Sequence, residues 1–115
     1  IYEDSMTSLV TRARAAGVRT ALLSNSWGNE YDRSDWAAMF DAVVISGEVG
    51  MRKPERGIFE LALKRIGLSA DQCVFIDDLA HNVRGAAVAG MTGIHHVDAE
   101  TTWAELQILL GQSLR

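Results

Sequence analysis

Four short apolar runs, within RTALLSN, DAVVIS, CVFID and TGIHHV, are set among segments of helical spacing, and none of them alternates cleanly between apolar and polar residues. A strand with one wet face shows that alternation, whereas a strand apolar on both sides has to be covered on both sides. The pattern therefore predicts a parallel sheet with helices on each face, joined by right-handed crossovers.

Spacing and punctuation place the helices. Met6, Leu9, Val10 and Ala13 form a stripe after Asp4 or Ser5 as a cap, closed at Gly17. SDWAAMF predicts a short helix capped by Ser34 or Asp32, and GEVGMRK a glycine-containing loop. Pro54 suits a first helical turn, and Ile58, Leu61, Ala62 and Ile66 continue that helix to Gly67. HNVRGAAVAG predicts a helix with small residues for close packing, stopped at Gly90. In TTWAELQILLG, Thr102 and Glu105 have capping-box spacing. The strands so delimited are 19–24, 42–46, 73–77 and 92–97, in the order α-β-α-β-α-β-α-β-α.

With 115 residues, 48% of them hydrophobic, one domain spanning 1–115 is expected. Fifteen acidic against eleven basic side chains give a formal charge of -4, and the lysines and arginines are scattered, so no nucleic-acid partner is expected. A lone Cys73 inside an apolar run reads as an inert buried thiol. No run reaches the roughly 20 apolar residues that cross a bilayer, and no signal-peptide layout opens the chain; no membrane and a cytoplasmic setting are expected. The chain begins at IYEDS without a starting Met, and an upstream segment is expected.

Ligands of open parallel sheets bind beyond the carboxyl ends of the strands. Polar groups gather there: Ser24 and Asn25 after the first strand, Lys53 after the second, Asp77 and Asp78 after the third. Two carboxylates about 4 Å apart repel by roughly 4 kcal/mol at an effective dielectric near 20, so they remain ionised together when something compensates. Magnesium suits that task, being held by one or two carboxylates while keeping waters and accepting phosphate oxygens. Lys53 suits a phosphate, and the Ser24 hydroxyl and Asn25 N–H can donate to a phosphoryl oxygen. Each set alone is ordinary turn chemistry. Their joint arrangement at three strand ends is what points to a site.

ALLSNS, GMRKPERGIFELALKRIGL, CVFIDDLAHNVRGAAVAGM and GIHHV, in that order, resemble the haloacid dehalogenase-like (HAD) hydrolase superfamily, in the branch of phosphoglycolate-phosphatase-like and epoxide-hydrolase N-terminal-type phosphatases. The likeness runs from about Ala13 to Val97. It implies a three-layer Rossmann-like fold, a magnesium cofactor and a small phosphorylated substrate. It also implies that Ser24 holds the transferring phosphoryl group, Asn25 assists and orients substrate, and Lys53 neutralises charge between nucleophile and phosphate. Asp77 would bind magnesium directly, Asp78 through water or a hydrogen bond, and Asn82 would brace the acidic loop.

The family's first motif, an apolar strand ending in DxDx[TV] that carries the nucleophile, has no counterpart among the 115 residues, and neither does the substrate-selecting cap. The chain thus resembles the C-terminal part of a HAD core and is expected to be inactive alone. In the family that strand lies between those ending at Ser24 and Asp77. Its loss leaves backbone groups unpaired at about 1 to 3 kcal/mol per buried group, so the gap is expected to be filled by an upstream segment, by a strand donated from another chain, as in a homodimer, or by the two halves closing on each other, the first being favoured.

His81, His95 and His96 match no zinc spacing, and adjacent His95 and His96 would face opposite sides of a strand. Trp27, directly after the phosphate turn, is the best tryptophan for substrate contact; Leu106, Leu109 and Leu110 read as core. Two other functions compete: a receiver-type phosphoacceptor domain, whose acidic pair comes early and whose lysine ends the last strand, and a catalytically inactive HAD-like module that binds an anion or a partner.

Overall fold

The computed structural model of the chain describes residues 4–26 and 35–111. Along the chain come α1 (Asp4–Ala15), β1 (Ala21–Ser24), α2 (Trp36–Met39), β2 (Ala42–Ile45), α3 (Ser46–Val49) and α4 (Arg56–Ile66). After a 3-10 turn at Ala70–Gln72 follow β3 (Val74–Asp77), α5 (Ala80–Val88), β4 (Thr92–His95) and α6 (Ala99–Leu110).

The strands pair in parallel, Ala21 with Ala42 through Ser24 with Ile45, and Val74 with Thr92 through Asp77 with His95. Helices cover both faces. Leu22, Val43 and Ile45 pack with Trp36 and Phe40, and Val74, Ile76 and Ile94 with Leu9 and Leu106, which places α1, α2 and α6 on one side. Leu23, Val44 and Phe75 face the other way, onto Ile58 and Phe59 of α4 and Ala86 of α5. The fold is the α/β three-layer architecture that the apolar, non-alternating strands predict.

Instead of one continuous sheet, the described strands form two pairs, β1 with β2 and β3 with β4. One edge each of β1 and β3 lines a shared cleft of about 1020 Å³. Leu22, Leu23, Val74, Phe75 and Ile76 are half-buried there, whereas Val44 and Ile45 of β2 are fully covered. Among the described residues, β1 and β3 thus pair with no strand on the sides that face the cleft. The Phe59 and Phe75 rings meet edge to face at 5.2 Å on the α4 side.

Local departures from expectation have local causes. GEVGMRK is not all loop, since residues 46–49 make one helical turn ended by Gly50 at φ 71°. Pro54 precedes α4 instead of opening it, because Glu55 takes the extended cap conformation and the helix starts at Arg56. The last helix starts earlier than its capping-box spacing implies, because the Asp98 carboxylate accepts the Thr101 N–H at 2.8 Å. Thr102 is instead buried, its hydroxyl 2.6 Å from His96 Nδ1. Leu106 and Leu110 join the core cluster, but Leu109 is exposed. The expected caps at Ser34 or Asp32 and the substrate contact at Trp27 fall outside the described residues, as do the side chains of Asp4 and Ser5. Cys73 is half-buried, and burial followed by the charge of Asp71 pushes its thiol up. Among the described residues no helix is long and apolar enough to cross a membrane.

Candidate active site

Ser24, Asn25, Asp77 and Asp78 stand at or just after strand ends, Lys53 in the turn before α4 and Asn82 in the first turn of α5. β1 stops at Ser24, whose Oγ lies 3.4 Å from Ser26 Oγ, and the Ser26 carbonyl accepts the Gly47 N–H at 2.6 Å, tying the loop after β1 to α3. Lys53 stands in a turn closed by two bonds between Arg52 and Glu55: Glu55 N–H donates to the Arg52 carbonyl, and Arg52 N–H to Glu55 Oε1. β3 ends at Asp77, and the chain turns into α5 with the Leu79 N–H donating to Asp77 Oδ1 at 2.9 Å.

Ser24, Lys53, Asp77, Asp78 and Asn82 all line the cleft between β1 and β3. Lys53 Nζ donates to Asp77 Oδ2 at 2.7 Å and lies 5.7 Å from the centre of the Phe75 ring. Asn82, 1% exposed, donates through Nδ2 to the same oxygen at 3.3 Å, while its Oδ1 is buried with no hydrogen-bond partner among the described residues. Burial opposes ionisation of Asp77, but the Lys53 ammonium, the Leu79 N–H and the contact with Asp78 outweigh it and hold the carboxyl below its usual value. The compensation that the adjacent carboxylates demand therefore comes, on the Asp77 side, from the protein itself.

Asn25 departs from the others. Its carboxamide, which the family resemblance turns toward substrate, spends both ends on the Lys53 main chain: Oδ1 accepts the Lys53 N–H at 2.8 Å and Nδ2 donates to the Lys53 carbonyl at 3.1 Å.

The donor set at the rim fits a hard divalent cation. Asp78 is exposed, and Asp77 accepts three hydrogen bonds out of a capacity of about four, so carboxylate oxygen remains available at the cleft mouth. Imidazoles are directed elsewhere. His95 Nε2 lies 2.9 Å from the Asp78 carbonyl, which can only accept, so that nitrogen carries the hydrogen; His96 Nδ1 meets Thr102 on the opposite side of the strand. Among the described residues no group of three or more His, Cys, Asp and Glu could hold a metal.

Three participants are not apparent in the sequence: Phe75 beneath the ammonium, His95 against the acidic loop, and Gly85 behind the Lys53–Pro54 turn. The last leaves a trace, a glycine within an alanine-rich helix. The first two depend on strand register, to which one sequence gives no key.

A family model described as haloacid dehalogenase-like hydrolase matches residues 1–90. The chain is 34% identical over 111 residues to the sesquiterpene phosphatase astK of Aspergillus oryzae, covering 92% of this chain and 56% of that relative's length. An uncharacterized protein from Corynebacterium glutamicum superposes with a TM-score of 0.84 at 33% identity, over 93% of this chain and 81% of the other. A HAD family enzyme from Bacteroides thetaiotaomicron, solved with magnesium and inorganic phosphate, shares the fold with a TM-score of 0.71 at 24% identity, over 90% of this chain and 57% of that one.

Proposed function

The chain belongs to the haloacid dehalogenase-like hydrolase family, and from that premise we propose that it carries the phosphate- and metal-binding side of a magnesium-dependent phosphatase for a small phosphorylated metabolite. The observation that carries this reading is the cleft wall shared by Ser24, Lys53 and Asp77, with Lys53 Nζ 2.7 Å from Asp77 Oδ2. Likeness to a relative named as a phosphatase supports it, as does the shared fold with an enzyme solved with magnesium and phosphate.

In this site the Ser24 hydroxyl donates to a phosphoryl oxygen and the Lys53 ammonium offsets its charge. Asp77 and Asp78 would hold magnesium, which supplies further positive charge to the phosphate oxygens. The cleft between β1 and β3 suits one more parallel strand, given by chain outside these 115 residues or by another polypeptide. A carboxylate at the carboxyl end of that strand would stand beside Ser24 and Asp77. Its attack forms a bond to phosphorus as the ester P–O bond breaks and the alcohol departs with a proton from solvent; water then attacks the acyl phosphate, which gives inorganic phosphate and restores the carboxylate. Residues 1–115 alone are then inactive, in what would be a cytoplasmic enzyme.

The test begins with the coding sequence upstream of Ile1. A longer polypeptide that includes an apolar strand ending in DxDx[TV] should hydrolyse p-nitrophenyl phosphate with magnesium and lose that activity in Lys53→Ala. A longer polypeptide without such turnover, or lysine-dependent turnover by residues 1–115 alone, would overturn the proposal.

A further inference from the structure

Asn25 and Lys53 are 28 positions apart, yet the carboxamide of one embraces the main chain of the other through a donor and an acceptor at once. A side-chain amide presents N–H and C=O side by side, as a neighbouring strand would, so the pair of bonds sets both the distance and the tilt of the Lys53 backbone. We propose that Asn25 is a positioning residue, whose carboxamide anchors the Lys53 turn to the end of β1 and so aims the ammonium across the cleft at Asp77.

The surrounding contacts make that anchor consequential. The bonds between Arg52 and Glu55 shape the turn from within without attaching it to the sheet. On its far side α5 closes in, where a Cβ on Gly85 would stand 2.7 Å from Pro54 Cβ. The turn is thus seated between Asn25 and α5. A lysine side chain has four rotatable bonds, and holding its end at one carboxylate costs rotamer entropy, so a fixed main chain is what keeps the ammonium in register. The Lys53 side chain is only 10% exposed, consistent with an ammonium held in one place. Through Lys53, Asn25 links the β1–β2 pair to the β3–β4 pair at the rim where their carboxyl ends meet.

The chain has two lysines, and the second, Lys64, is exposed in the last turn of α4, giving an internal reference for amine reactivity. Trace acetylation of the 115-residue chain with acetic anhydride, followed by peptide mass spectrometry, reads the ratio of modification at Lys53 to that at Lys64. Wild type should give a low ratio, and Asp77→Asn, which frees the ammonium directly, sets the upper bound. In Asn25→Ala the ratio is expected to rise about tenfold, the factor equivalent to ~1.4 kcal/mol for two net hydrogen bonds, while the chain stays folded at the assay temperature. A wild-type ratio in folded Asn25→Ala would sink the inference. Should Asn25→Ala melt below the assay temperature, Asn25→Asp, which keeps an oxygen facing the Lys53 N–H but loses the donor, carries the test: a partial rise supports the anchor and a wild-type ratio overturns it. Because the readout is amine reactivity and not turnover, this inference and the phosphatase proposal fail separately.

Discussion

Lys53 Nζ donates to Asp77 Oδ2 across 2.7 Å and thereby joins the two strand pairs at the rim of the cleft that separates them. The two side chains are 10% and 7% exposed, so each stands largely out of water and depends on the other. Removing one partner leaves a poorly solvated charge, whereas removing both does not. Lys53→Met and Asp77→Asn are each expected to lower stability by about 1 to 3 kcal/mol, with the double variant losing less than the sum. Urea denaturation of the four proteins measures the coupling; strict additivity would show that the pair contributes nothing as a pair.

Acid should loosen the same contact. Asp77 has its carboxyl held below the ordinary 3.8, and Asp41, bonded by the Thr20 N–H and Arg14, and Asp98, bonded by the Thr101 N–H, are lowered as well. A carboxylate whose folded value is depressed contributes stability that is present above its unfolded value and is lost as the pH falls through its folded one. The melting temperature should therefore hold down to about pH 4 and fall below it, and Asp77→Asn should flatten part of that descent. An identical acid limb in wild type and variant would remove Asp77 from the account.

Gly85 offers a test of how tightly the site is backed. A Cβ there would meet Pro54 Cβ at 2.7 Å, the Pro54 carbonyl oxygen at 3.0 Å and Phe59 Cε2 at 3.1 Å. Alanine favours helix over glycine by about 1 kcal/mol, but overpacking against main chain costs about 1 to 3 kcal/mol. Gly85→Ala is expected to destabilise the chain by thermal denaturation; a stabilised variant would mean that α5 and the Lys53–Pro54 turn have room to part.

The start of α6 separates two accounts of its cap. Asp98→Ala removes the carboxylate that accepts the Thr101 N–H and should lower the melting temperature. Glu105 is exposed, and Glu105→Ala should stay within about 0.5 kcal/mol of wild type. Reversed sensitivities in thermal melts would restore the capping box read from Thr102 and Glu105.

What the amino-acid order determined by itself is what neighbours within about four positions can encode. The apolar stripe of α4, the left-handed glycines at 17 and 67, the double-faced apolar strands and the polar residues at their ends are all local, and short windows of sequence suffice to read them. The family likeness rests on the same short stretches. Tertiary structure alone decided which of those polar residues meet. Lys53 reaches Asp77 over 24 positions and Asn25 over 28, and His95 reaches the acidic loop because β3 and β4 pair in one particular register. Even the cap of α6 turned on this: burial of Thr102 against His96 claimed the hydroxyl that local spacing assigns to capping. Such contacts depend on how the whole chain packs, and packing energy is summed over residues far apart in sequence, so no short window contains it.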